Sequence, residues 1–356
     1  MKVLLVGNYV PDRQWSMLGY ADGLQHGLEA LGIDVEVIRP QPRLLKGGDS
    51  RSGKGKYIAY LDKYVLFPRR LKKVSKDFDL AHVVDQGNAM YLRSCSCKTL
   101  LTVHDLMAIK AAQGMYEDWK IGASGQKLQK WIADSIPLAN HFTCVSNHTS
   151  EDLAKLFQIP ADRRTVIHNA LFEDFRSRPA ASSSEMFVHH VGGNQPYKNR
   201  VGVVKFAEKW LAMDKFSHWK LKLVGAPPDE KLAAAIAESP LQSRIEVIKD
   251  ASDSKLAEIY QTSQALIFPS LEEGFGLPIL EAQSAGCPVI TTRATPMTEV
   301  GGESCIYLDE GVMSAVSELP ESRTKWAELG YENLKRFSRN KMAMETVELY
   351  KRLVCK

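Results

Sequence analysis

No apolar run in these 356 residues approaches the ~20 that a helix needs to cross a bilayer. The opening MKVLLVGNYVPD has one lysine and a short apolar stretch before Gly7. That is too little for a secretory leader and suits a first β-strand. Cysteine is sparse and scattered, at 95, 97, 144, 287, 305 and 355. Cys95-Ser-Cys97 has neither zinc-ribbon spacing nor a second pair, so no metal site is expected, and the six read as reduced thiols of a cytoplasmic protein. Internal repeats and low-complexity tracts are missing, apart from the polar linker RSRPAASSSE at 176–185.

What is present points to a soluble globular protein of two domains. The chain is too long for one ordinary core, and 44% apolar and 25% charged residues are globular values. The net charge of +4 hides an uneven spread: segment 43–76 holds eleven Lys/Arg against Asp49 and Asp62, so the rest of the chain is net acidic. Within it, YIAYLDKYVLFPRRLKKV puts Tyr57, Leu61, Tyr64 and Val65 on one helical face beside the basic cluster. Such a face can meet an anionic membrane surface or an acidic acceptor, or it can pack on its own domain. No nucleic-acid partner is expected.

Strand and helix patterns alternate along both halves. KVLLVG, DVEVIRP, DLAHVVD, TLLTVHDL, NHFTCVS and RTVIHNAL read as strands of the first half. MFVHHVGG, WKLKLVGAPP, SRIEVIK, QALIFPS, CPVITT and ESCIYLD read as strands of the second. Strands separated by helices of ~10–15 residues predict an α/β fold of two doubly wound parallel sheets. The expected domains are 1–175 and 186–339, with a C-terminal helix at about 340–356 crossing back onto the first. The hinge is expected near 171–185.

One stretch is more informative than any other. EGFGLPILE at 273–281 lies between a strand (QALIFPS) and a helix that Pro278 opens and Gly286 closes. A loop at the carboxyl end of a parallel strand is where open α/β sheets bind ligands. Backbone N–H groups of Gly274, Phe275, Gly276 and Leu277 can face an anion there, aided by the helix dipole. Glu273 and Glu281 can only accept hydrogen bonds while ionised, so hydroxyl-rich groups suit them. Phosphate and hydroxyls together suggest a sugar nucleotide. Glu281, placed in the first helical turn, is expected to be kept ionised by the dipole.

The order of motifs resembles that of retaining glycosyltransferases of family 4 (glycosyltransferase group 1). They are a glycine-containing first loop, VHDL, FTCVSNHTSEDL, VIHNAL, VGGNQPYKN and FPSLEEGFGLPILEAQSAGCPVITT. The resemblance covers nearly the whole chain and implies the GT-B fold, two facing Rossmann-like domains. It implies that Glu273 contacts the hydroxyls of the donor sugar and Glu281 the nucleotide ribose. It places the diphosphate on Gly192, Gly193 and Asn194, with Lys198 as a point charge. Many relatives carry an arginine where this chain has Gly193, and Arg200 is the candidate to compensate. His104 would face the donor sugar, with Asp105 as a neighbour or as a helix cap. The loop 7–19, including Gly7, Tyr9 and Trp15, would line the acceptor side.

The implied activity is metal-independent transfer of a sugar from a nucleoside diphosphate donor to a sugar or lipid-linked acceptor. No cofactor is expected. Asp77-Phe78-Asp79 has the form of a metal-binding DxD tripeptide but stands where a turn would precede a strand. Bacterial polysaccharide, lipopolysaccharide or glycolipid assembly is the broad setting. A nucleotide-sugar 2-epimerase and a non-catalytic basic membrane-binding module are the alternatives.

Overall fold

The computed structural model describes residues 1–47, 50, 52–171 and 183–355. The expected linker, and the hinge with it, falls mostly on residues 172–182, outside the described residues. Contacts divide the chain into two compact units, Met1–Phe172 with Ser338–Lys356, and Glu173–Phe337. Among the described residues no helix is long and apolar enough to cross a membrane.

The first unit is built on six strands, β1 (Lys2–Val6), β2 (Asp34–Ile38), β3 (Leu80–Val83), β4 (Lys98–Val103), β5 (His141–Cys144) and β6 (Arg164–Val166). They form one parallel sheet in the order β2-β1-β3-β4-β5-β6. Helices cover both faces, so central strand β1 is buried along its length, Val3, Leu4, Leu5 and Val6 alike, whereas edge strand β2 alternates. Helix Trp15–Ala30 turns Leu18, Ala21, Leu24 and Leu28 inward and ends before Gly32, whose φ of +74° needs no Cβ. Helix Arg339–Val354 lies beside it. Gly27 permits this, since a Cβ there would come within 2.8 Å of Ala343 Cβ. The same helix is tied to the sheet by a buried polar chain: Tyr350 Oη meets His82 Nδ1 at 2.6 Å, and His82 Nε2 meets Thr102 Oγ1 at 2.6 Å. Asp79, half of the DxD-like tripeptide, accepts the Lys2 N–H at 2.7 Å and so anchors the start of β1.

The second unit repeats the plan with β7 (Phe187–Gly192), β8 (Lys220–Gly225), β9 (Ile245–Ile248), β10 (Leu266–Phe268), β11 (Val289–Thr291) and β12 (Ile306–Tyr307). All are parallel, in the order β12-β11-β10-β7-β8-β9. Trp210, Phe216 and Trp219 fill one side of the core, with Phe216 and Trp219 ring centroids 4.7 Å apart. The strand order reverses between β7 and β10, so the loops leaving these two strands turn to opposite faces and open a crevice at their carboxyl ends. In the first unit the reversal falls between β1 and β3.

At that crevice two glycines allow the ends of β7 and β8 to close up. Gly225 has a φ of +128°, and a Cβ on it would stand 2.3 Å from the Gly192 carbonyl oxygen. Gly225→Ala is therefore expected to cost about 3 kcal/mol or more, combining strain with a backbone clash. Urea denaturation of the purified variant checks it; an unchanged midpoint would refute the tight-crossing account.

Candidate functional site

The crevice of the second unit is assembled from two loops that are stitched to each other. After β7 the chain makes a short 3-10 turn, Pro196–Lys198, then enters helix Arg200–Leu211 through Asn199, whose φ is +51°. Asn199 Oδ1 accepts the Gly202 N–H at 3.2 Å as the helix N-cap, and its Nδ2 donates to the Pro269 carbonyl at 3.2 Å. Leu271 N donates to the Tyr197 carbonyl at 2.8 Å. The loop after β7 and the loop after β10 therefore hold each other in place. Sequence reasoning missed Asn199; its signal is an asparagine, tolerant of left-handed backbone, directly before a helical pattern.

This stitching brings Lys198 and Glu273 together. Lys198 Nζ lies 2.7 Å from Glu273 Oε1, and both side chains are largely buried, at 17% and 8% exposure. The ammonium also stands 5.5 Å from the centroids of the Tyr197 and Phe268 rings. A cation and a carboxylate are thus held at one point, beside the start of helix Leu277–Ser284. That helix opens at Gly276, whose φ of +99° requires glycine. Phe275 contributes backbone only, since its ring is buried against Phe337 at 5.7 Å between centroids. Gly286, at φ +67°, stands just past the helix end.

Glu281 differs from the expectation. It lies a full turn inside the helix rather than at its mouth, and it is half-buried. Burial pushes its carboxyl above the ordinary range, opposed by the Tyr260 hydroxyl, which donates to Oε2 at 2.8 Å, and by the charge of Lys198. Desolvation is the largest influence on its titration. Tyr260 is the second partner missed by sequence reasoning; nothing in AEIYQTSQ separates it from a core tyrosine.

Arg200 is the most unusual group. It is 5% exposed, and Nη1 donates to Asn194 Oδ1 and, at 2.9 Å, to the Ala226 carbonyl. Its Nε and Nη2 are buried with no protein acceptor among the described residues. A buried guanidinium with unmet N–H groups is costly, and burial lowers its pKa accordingly. An anionic ligand is what would satisfy it. Asn194 is held at both ends of its amide, its Nδ2 donating one N–H to the Pro227 carbonyl at 2.6 Å. Gly192 and Gly193 sit where a Cβ would meet His190 Nε2 at 2.8 Å and Gln195 Oε1 at 2.5 Å. His190 lies beneath this loop, kept neutral by burial and by the charges of Arg200 and Lys198, with Nδ1 donating to the Ile267 carbonyl at 2.9 Å. Beneath the loop, then, the imidazole is uncharged, and the charged groups around it are Arg200 and the Lys198–Glu273 pair.

The remaining candidates belong to the first unit. His104 is buried at the end of β4; its Nε2 donates to the Val84 carbonyl at 2.9 Å, which leaves Nδ1 as a lone-pair acceptor without a partner among the described residues. Asp105 Oδ1 accepts the Met107 N–H at 3.0 Å, the local turn bond that a residue opening helix Met107–Ala112 would make. Of the loop 7–19, Gly7 continues β1 by donating its N–H to the Ile38 carbonyl at 2.9 Å. Tyr9 is buried with its hydroxyl donating to Asp62, whereas Trp15 is 67% exposed at the start of its helix.

Comparison with known proteins bears on the family and the fold. A model described as Glycosyltransferase Family 4 matches residues 20–173, and one described as Glycosyl transferases group 1 matches residues 171–304. The O-antigen chain mannosyltransferase B of Escherichia coli is 25% identical over 340 residues, 88% of this chain and 87% of that protein. In fold, the sucrose-phosphate synthase of Thermosynechococcus elongatus is similar over all of both chains, with a TM-score of 0.72 and 18% identity. HepE of Anabaena, solved in complex with UDP, is similar over 99% of this chain and 100% of that one, with a TM-score of 0.67 and 14% identity. The two matched segments together run from residue 20 to residue 304, and the chain belongs to the group 1, family 4 glycosyltransferases, with the GT-B fold.

Proposed function

We propose that this glycosyltransferase takes its sugar from a nucleoside diphosphate donor bound in the crevice of the second unit, and transfers it with retention of configuration. The observation that carries the reading is the meeting of Lys198 and Glu273 at the carboxyl edge of β7 and β10. Lys198, Arg200 and the amides of the Gly192-Gly193 loop would bind the diphosphate, while the start of helix Leu277–Ser284 adds its dipole. Glu273 would accept hydroxyls of the sugar and Glu281, with Tyr260, those of the ribose. In the first unit, His104 Nδ1 would be an acceptor for a substrate hydroxyl. Negative charge grows on the leaving diphosphate in the transition state, so cations fixed in advance lower the barrier without reorganising. The departing phosphate would take the acceptor proton, and no divalent metal is required.

The acceptor is read as a sugar or lipid-linked saccharide, in bacterial polysaccharide, lipopolysaccharide or glycolipid assembly, with the basic segment 43–76 meeting the inner face of the membrane. The relationship to the O-antigen mannosyltransferase favours a mannose donor.

A thermal-shift screen of nucleoside diphosphates and their sugars tests the donor site. A matching donor at 100-fold over Kd should stabilise the protein by about 2.7 kcal/mol, and Arg200→Ala should remove most of that gain. Equal stabilisation of parent and variant would remove Arg200 from the site. The matching donor should then support transfer in EDTA, whereas activity that returns only with added divalent ion would overturn metal independence. Conversion of the donor sugar without any acceptor would speak instead for an epimerase.

A further inference from the structure

The first unit carries a second cationic feature, far in sequence from the donor site. A cavity of about 370 Å³ is lined by Arg43, Arg69, Arg70 and Lys73, with Gln41, Asp62, Leu66 and Phe67. Its one carboxylate is already committed. Asp62 accepts the Leu44 N–H at 3.0 Å, the Leu45 N–H at 3.1 Å and the Tyr9 hydroxyl at 3.2 Å. Among the described residues, none of the four cations has a carboxylate partner, so their positive potential is directed into the cavity rather than spent on ion pairs.

The helix bearing three of these cations leaves an apolar row in solvent. It runs through Gly53–Leu61, a π-helical turn at Asp62–Leu66 and Phe67–Val74. Its inner face is Ala59, Asp62, Lys63, Phe67 and Leu71. The row Tyr57, Leu61, Val65 is exposed, at 71%, 47% and 38%, with Ile58 beside it at 37%. Continued at the same four-residue spacing, that row reaches Arg69 and Lys73. Four residues overshoot an α-helical turn of 3.6, and the wider π turn brings the row back onto one face. The alternative reading, in which these apolar residues pack on their own domain, applies only to Tyr64, which meets Trp131 at 5.0 Å between rings. An apolar row flanked by cations without an ion-pair partner among the described residues fits a surface that is apolar below and anionic at its face.

We propose that this cavity is a phosphate site for the headgroup of an anionic membrane lipid, with Tyr57, Leu61 and Val65 entering the acyl boundary beside it. The inference rests on the proposed membrane contact of segment 43–76 and assigns the residues that make it. The lipid phosphodiester carries one negative charge, which Arg69, Arg70, Lys73 and Arg43 surround. Two of its oxygens can accept bidentate arginine N–H groups.

The test is co-sedimentation of the full chain with phosphatidylcholine vesicles, with and without phosphatidylglycerol, at low and high salt. The parent should bind only the phosphatidylglycerol vesicles, and salt should weaken it. The variant Arg69→Ala/Arg70→Ala/Lys73→Ala should lose on the order of 100-fold in partitioning. Stabilisation by the nucleoside diphosphate donor should be unchanged, since these residues lie outside the donor site. Leu61→Ser/Val65→Ser should weaken binding while keeping the preference for anionic lipid. A triple variant that binds as the parent does would overturn the pocket but not the membrane contact; a parent that binds neither vesicle would overturn both. Inorganic phosphate that protects the parent against heat at millimolar concentration, with no vesicle binding, would make this a soluble-anion site and overturn the lipid assignment. Each of these results leaves the donor site untouched.

Discussion

Lys198→Ala is expected to reduce transfer by about 100- to 1,000-fold, the usual loss when one fixed donor of a leaving-group site is removed. The same variant should also be less stable. Lys198 and Glu273 are both largely buried and 2.7 Å apart, so deleting the lysine strands a carboxylate. Breaking a buried pair from one side costs about 3–5 kcal/mol. The two effects can be separated. Lys198→Met/Glu273→Gln replaces the pair by neutral groups of similar volume and should recover much of the stability without recovering activity. Steady-state transfer and urea denaturation on the single and double variants decide the matter. Near-parent turnover in Lys198→Ala, or an active double variant, would end the assignment of this pair to catalysis.

The protein is also expected to lose stability steeply below pH 6.5. His82, His189 and His190 are fully buried, and burial lowers each from 6.5 to about 3. Neighbours add to this: His104 acts on His82, His190 on His189, and Arg200 and Lys198 on His190. Below pH 6.5 the unfolded chain binds protons that the folded chain refuses, so stability falls with pH from 6.5 down to about 3. The slope is about 1.4 kcal/mol per pH unit for each histidine, hence about 2 kcal/mol each at pH 5. Chemical denaturation followed between pH 7.5 and 5 measures the slope, and His189→Asn/His190→Gln should flatten it for the second unit. An unchanged slope in that variant would mean that these imidazoles take up protons in the folded state.

Much of the architecture is legible in the residues. KVLLVG and QALIFPS become the central strands β1 and β10 because a strand covered on both faces is buried along its length, which shows as an apolar run rather than an alternation. Pro278 and Gly286 mark a helix start and stop for reasons of φ alone, and Gly276 and Gly286 both adopt positive values. The pairing of Lys198 with Glu273 is less legible. Seventy-five residues separate them, and only the strand order, which sets β7 beside β10, makes them neighbours.

The sequence by itself determined the alternating α/β plan, the glycine-opened loops and the acid and ammonium groups available to a sugar nucleotide, because these follow from local periodicity and backbone freedom. Tertiary structure alone decided which of those groups are desolvated. Glu281 is pushed up by burial beside Tyr260, Arg200 is enclosed with two nitrogens unmet among the described residues, and the Tyr57-Leu61-Val65 row is left in solvent. Burial depends on what the rest of the chain places around a residue, and no window of neighbouring letters contains that.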